Sequence, residues 1–144
     1  MQDMDRAYWP EKQIVPSTEI VHDRANLEVF RGCIRGCRFC QAGFCYRPVR
    51  SKHADVLYEQ AVQALEDSGS SEITMASLST SDYRELETLA DGLLDYCEPR
   101  KINLSLPSLR ADNFSRDLML RIQKVRKSGL TFAPEAGTQR LRDA

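Results

Sequence analysis

Over residues 86–97 the apolar side chains Leu86, Leu89, Ala90, Leu93, Leu94 and Cys97 recur at intervals of three and four, a single stripe along one helix. Asp82 with Glu85 three residues later reads as a capping box at its start, and Pro99 predicts its end. Cys97 lies within the stripe, so its expected place is the core, as a small hydrophobe rather than a ligand. Elsewhere the period shortens. Residues 27–31 (Leu-Glu-Val-Phe-Arg) alternate and are rich in strand formers, and Glu72–Ala76, Lys101–Leu106 and Leu130–Ala133 read as three further strands. Pro107 and Pro134 stop the last two. Between the strands, Ala54–Ser68 has helical composition with Gly69 as its stop, and a further helix spans about 114–127, with Leu118, Ile122 and Val125 on one face and Gly129 beyond it. Thr138 opens a last helix.

The strands at 72, 101 and 130 start 29 residues apart, the length of a βαβ unit with short loops. Alternating elements of this kind predict parallel strands with right-handed crossovers. The expected fold is therefore α/β, a partial (β/α) barrel of about four parallel strands with helices outside. Four strands cannot close a barrel, so the chain is expected to be a truncated core domain over 27–144, ending inside its fourth β/α unit. Residues 1–26 are expected to be an N-terminal extension or linker. Open strand edges invite pairing, which predicts a homodimer, an exchange of elements, or cover by residues 1–26. Tyr8, Trp9, Pro10 and the Ile14-Val15-Pro16 run would supply that cover.

Composition bounds the class. The chain has 144 residues, 42% hydrophobic and 28% charged, as in a soluble globular domain or part of one. No apolar run approaches a membrane span. A net charge of −1 gives no global attraction to nucleic acid, yet Arg31, Arg35, Arg38, Arg47, Arg50 and Lys52 crowd one stretch without an acidic residue. That stretch reads as a positive rim that offsets thiolate charge or meets an anionic substrate, or else as a solvated loop. The polar N-terminus has no secretory pattern, and five cysteines are an odd number. Both argue for a cytoplasmic location without disulfides.

Cys33, Cys37 and Cys40 stand at C-x3-C-x2-C spacing on one short segment. Three thiolates so placed can hold three corners of a cubane iron–sulfur cluster and leave the fourth iron open, whereas four-thiolate sites are the general rule. Two other readings use the same residues. A zinc site would pair Cys37 and Cys40 and draw on Cys33, Cys45, His22 or His53, making a binding module whose basic loop contacts RNA. A four-ligand electron-transfer centre would recruit Cys45.

The C-x3-C-x-aromatic-C pattern, with Phe39 in the aromatic slot, resembles the signature of the radical S-adenosylmethionine (SAM) superfamily. The wider run Gly36-Cys-Arg-Phe-Cys-Gln-Ala-Gly-Phe44 and Tyr46-Arg-Pro-Val-Arg50 is similar to uncharacterised Fe–S oxidoreductases related to the methylthiotransferase-like group, many with an upstream cobalamin-binding-type domain. The resemblance implies a six-stranded core, a [4Fe–4S] cluster on Cys33, Cys37 and Cys40, and SAM chelated at the open iron. It also implies a 5′-deoxyadenosyl radical that takes hydrogen from a substrate, RNA or protein, which the residues do not name. The electron donor would be flavodoxin- or ferredoxin-like, and cobalamin would sit in an upstream domain. Barrel sites lie at the C-terminal ends of strands. There the resemblance assigns SAM contacts to Phe39 and Glu135, and it suggests Ser79 and Thr80 where many members carry a Gly-Gly-Glu-like segment. Arg110 is a candidate for the SAM carboxylate or substrate. Arg35 and Arg38, beside the thiolates, are expected to raise the cluster potential slightly.

Overall fold

The structure is a computed structural model that describes residues 3–113, 115–127 and 134–143. In chain order its regular elements are β1 (Ala25–Glu28), β2 (Phe30–Arg31), α1 (Ala42–Cys45), β3 (Arg50–Ser51), α2 (Ala54–Ser68), β4 (Glu72–Ala76), α3 (Leu86–Arg100), β5 (Asn103–Ser105), α4 (Arg116–Ile122) and α5 (Gln139–Arg142). β4 lies between β1 and β5, parallel to both. Leu27 is opposite Met75, and Ile73 is opposite Leu104.

Burial alternates along β1 and β4, and one face is sealed by Ala25, Leu27, Ile73, Met75 and, from β5, Leu104. Leu57, Ala61 and Leu65 of α2, Leu89, Leu93 and Cys97 of α3, and Leu118 and Ile122 of α4 belong to the same buried cluster. The predicted stripe is thus the buried face of α3, and burial pushes the Cys97 thiol up to about 11. Asn26, Glu28, Glu72 and Thr74 occupy the alternate positions. Only one face of the described sheet is apolar, which is why its strands read as alternating rather than as continuous apolar runs.

Several expectations change in detail. The first strand splits: after β1 the chain switches partners at Val29, whose N–H donates to the Ala76 carbonyl at 3.0 Å while its own carbonyl accepts from Lys52 N–H at 3.1 Å. β2 then leaves the sheet and pairs antiparallel with β3, drawing together the two ends of the cysteine loop. Gly32 makes the exit possible. Its φ is +95°, and a Cβ there would stand 2.3 Å from the Tyr46 carbonyl oxygen.

The Asp82–Glu85 capping box does not form, because both carboxylates serve other groups. Asp82 closes a 3-10 turn over Thr80–Asp82 and binds Arg35, and Glu85 accepts the Ala54 N–H at 2.8 Å, capping α2 instead of α3. Pro99 lies inside α3 rather than ending it. The helix closes one residue later in a Schellman arrangement, with Lys101 at φ 57° and Ile102 N–H on the Cys97 carbonyl at 3.1 Å. α4 is shorter than its predicted span and begins at Ser115, whose hydroxyl accepts from Leu118 N–H. Gly69 ends α2 in the left-handed conformation, and α5 follows Thr138. The predicted strand Leu130–Ala133, and the Gly129 placed beyond the preceding helix, lie outside the described residues.

Of the residues expected to cover the fold from the N-terminal segment, Trp9 does so, whereas Tyr8, Pro10 and the Ile14-Val15-Pro16 run are exposed. Tyr8 and Ile14 are 89% and 100% exposed, Val15 is exposed too, and Met4, Ala7 and the partly buried Trp9 pack inward. Its polar contacts run to α2: His53 donates to Asp5 from its backbone N–H at 2.8 Å and pairs with it through Nδ1 at 2.5 Å, and Gln13 N–H donates to Asp67 at 2.7 Å. Among the described residues no helix is long and apolar enough to cross a membrane.

Candidate cluster-binding site

Because the three strands are parallel, the loops that leave their C-terminal ends gather at one end of the sheet. They are residues 32–49 after β1 and β2, 77–85 after β4, and 106–115 after β5. The first carries Cys33, Cys37 and Cys40, all half-buried and all free thiols; Cys45 is exposed at the end of α1, and Cys97 is sealed in the core. The Cys40 N–H donates to the Cys37 carbonyl at 3.0 Å, so these two cysteines share one tight turn.

A cavity of about 270 Å³ opens beside Cys33, lined by Phe30, Ile34, Ser79, Asp82, Tyr83 and Arg84 among others. Most of its polar groups are already committed. The Ser79 hydroxyl donates to Asp82 at 2.8 Å, and the Tyr83 hydroxyl donates to the Lys52 carbonyl at 2.9 Å. Burial first, and then Glu85, push the Tyr83 phenol above its ordinary range. Arg84 has no hydrogen-bond or ion-pair partner among the described residues. Neither motif nor periodicity marked it, and only the cavity does.

The expected site residues fall in different places. Ser79 is on the cavity wall beside Cys33. Thr80 is fully buried, its hydroxyl 2.9 Å from that of Ser77. Phe39 stands 69% exposed on the cysteine loop, with Ile34, Phe44, Tyr46 and Leu78 also exposed around that end of the fold. Glu135 is exposed, at φ 68° just before α5, and its hydrogen-bonding surroundings are local.

The basic rim is largely paired. Arg31 grips Glu28 at 2.7 and 2.8 Å, Arg50 donates to the Pro48 carbonyl, and Lys52 is buried with its ammonium on Gln60 at 2.7 Å, so burial depresses its pKa. Arg35 donates Nε to Asp82 at 2.8 Å and a second N–H to the same carboxylate, and it stands 3.5 Å from Asp112. Arg110 is held by Asp112 at 2.9 and 3.0 Å. Hydrogen bonding to Arg35 holds the Asp82 carboxyl below its usual range, and Asp82 in turn raises Arg35. Arg38 and Arg47 have no partner among the described residues.

The donor set suits an iron–sulfur cluster: three unpaired, half-buried thiols on one loop, the first of them lining a cavity of small-molecule dimensions. Among the described residues no three His, Cys, Asp or Glu side chains converge closely enough to hold a single metal ion.

Comparison with known sequences supplies the family. The sequence model of the radical SAM superfamily matches residues 27–144. The chain belongs to the radical SAM superfamily. Its α/β fold of parallel strands and helices is consistent with part of a radical SAM (β/α) core. The chain is 38% identical over 117 residues to the uncharacterised protein MJ0966 of Methanocaldococcus jannaschii, a match covering 81% of this chain and 25% of the relative. It is 31% identical over 112 residues to the threonylcarbamoyladenosine tRNA methylthiotransferase MtaB of Treponema pallidum, covering 76% of this chain and 23% of the relative. The radical SAM chain thus spans about a quarter of the length of the curated relatives it matches.

Proposed function

We propose that the chain is the cluster-binding part of a radical SAM enzyme, in which Cys33, Cys37 and Cys40 hold a [4Fe–4S] cluster and SAM takes the remaining iron. The observation that carries this reading is the placement of three free, half-buried thiols on one loop at the C-terminal end of a parallel sheet, with Cys33 lining the cavity there, in a chain of this family. When bound, the pair supplies a 5′-deoxyadenosyl radical that takes a hydrogen atom from the substrate.

The chain's own residues then have separable tasks. Ser79 on the cavity wall, and Phe39 and Glu135 on their loops, are the SAM contacts. The buried Thr80 acts through Ser77, shaping the loop that carries Ser79. Tyr83 and Phe30, their rings stacked 6.4 Å apart, form the apolar floor. The relative from Treponema pallidum acts, by its name, on threonylcarbamoyladenosine in tRNA, which makes RNA the first substrate class to try, ahead of protein. Arg38 and Arg47 are exposed on the cysteine loop to meet its phosphates. A cytoplasmic flavodoxin- or ferredoxin-like protein is the electron donor, and cobalamin, where used, belongs to a domain preceding this one.

The test is anaerobic reconstitution with iron and sulfide, followed by electron paramagnetic resonance of the reduced protein with and without SAM. The expected result is a cluster signal that shifts on adding SAM and survives Cys45→Ala. A signal indifferent to SAM and lost in Cys45→Ala would make this a four-ligand electron-transfer centre, and a colourless protein retaining zinc would overturn the cluster altogether.

A further inference from the structure

We infer that the Arg35–Asp82 ion pair positions the cysteine loop, locking the segment that carries Cys33 and Cys37 onto the loop that follows β4. Its consequence for the cluster rests on the function proposed above, whereas the lock itself is a property of the metal-free chain.

Arg35 sits two residues after Cys33 and two before Cys37. The loop's ends are joined by the β2–β3 pairing, but that pairing reaches no further than Arg31 and Arg50. Among the described residues, Arg35 provides every side-chain hydrogen bond and ion pair that residues 33–40 make with the rest of the fold. The link spans 47 residues of sequence. Without it, no side-chain hydrogen bond or ion pair among the described residues would tie the first two cysteines to the loops beyond the other strands.

Asp82 is built to receive it. Its side chain is 6% exposed. One carboxylate oxygen also accepts the Ser79 hydroxyl, and its backbone N–H donates to the Ser79 carbonyl at 2.9 Å. The carboxylate therefore cannot follow the arginine out into solvent without breaking its own turn. Arg35 engages both oxygens, a fork that lysine cannot reproduce. Behind the pair, Asp112 lies 3.5 Å from Arg35 and is gripped by Arg110, whose backbone N–H donates to the Ser81 hydroxyl at 3.2 Å. Loops from all three strand ends are joined in one chain of alternating charge.

That chain is neutral as a whole: two arginines against two aspartates. Arg35 therefore places little net positive charge on the thiolates, and its role is to fix where they stand. Removing either partner leaves an uncompensated charge, of opposite sign in the two cases, beside Cys33.

Hydrogen exchange in the metal-free protein tests the lock. Arg35→Gln and Asp82→Asn should each speed amide exchange across residues 33–40 by about fivefold, the loss of a partly exposed, bidentate pair. Exchange over α2 should be unchanged, showing the fold intact. Arg35→Lys should give a smaller increase, and the exchanged pair Arg35→Asp with Asp82→Arg should return towards the parent rate. Should the single variants disturb α2 as well, the lysine variant and the exchanged pair carry the comparison. Parent-like exchange over 33–40 in both single variants, or no recovery in the exchanged pair, overturns the inference. In cluster-loaded protein the midpoint potential should fall for Arg35→Gln and rise for Asp82→Asn. Shifts of the same sign would reduce the pair to a packing contact. Failure of the parent to take up a cluster would sink the proposed function and leave the exchange result standing.

Discussion

Gly32 and Gly69 both adopt positive φ, at 95° and 65°, yet the chain would tolerate replacement at them very differently. A Cβ on Gly32 would collide with the Tyr46 carbonyl, while nothing lies within 4 Å of one on Gly69. Gly69→Ala should cost only the left-handed conformational penalty, about 1 kcal/mol. Gly32→Ala should cost about 3 kcal/mol or prise the β2–β3 pairing apart, and urea unfolding of the two variants compares them directly. His53 gives a pH signature at the same scale. Its hydrogen bond to Asp5 raises the imidazole above 6.5. Burial pushes Asp5 up, but the hydrogen bonds from His53 outweigh it and leave the carboxyl below 3.8. A raised imidazole stabilises the fold below its unfolded value and loses that contribution as pH climbs through the raised value. A lowered carboxyl contributes above its unfolded value and fades as pH falls through the lowered one. Anchoring of the N-terminal segment should therefore be strongest from about pH 4 to 6.5 and weaken above that window. Trp9 fluorescence against pH should show a step above 6.5 that His53→Ala abolishes.

At the scale of elements, the helices were legible where the signal was local. The boundaries of α2 follow from composition and a glycine stop, and the stripe of α3 from periodicity. Capping was not, because the donor and acceptor belong to different helices. Glu85 stands at the head of α3 in sequence but closes the N-terminus of α2 in space, and it shares the one Tyr83 hydroxyl proton with the Lys52 carbonyl. Glu85→Ala should cost about 1–2 kcal/mol in urea unfolding, as for loss of a helix cap, and should speed exchange in the first turn of α2 rather than of α3. The split of the first strand has the same origin. Val29 is a good strand former in either pairing, and the switch of partners depends on Ala76 and Lys52, far away in sequence.

For the whole molecule, β1 and β5 stand at the two edges of the described sheet. An open parallel edge offers unpaired backbone groups to another chain, so the isolated chain should self-associate as a homodimer through the β1 edge. Light scattering over a range of concentrations checks this, and a monomer throughout would remove the idea. Parallel order, the βαβ spacing and the C-x3-C-x2-C loop were all readable because each is a short-range pattern: a period, a repeat length, a spacing of thiols. The state of each charge was not. Arg35, Arg110 and Lys52 look alike in sequence as free cations of a basic stretch or loop. In the fold, one binds a carboxylate on a neighbouring loop, one binds its own near neighbour Asp112, and one is buried on Gln60. Charge pairing is decided by distances of a few ångströms between segments tens of residues apart, and only the packing of β1, β4 and β5 side by side sets those distances. Residue order thus determined which chemistry the chain carries, and the tertiary structure decided which groups remain free to perform it.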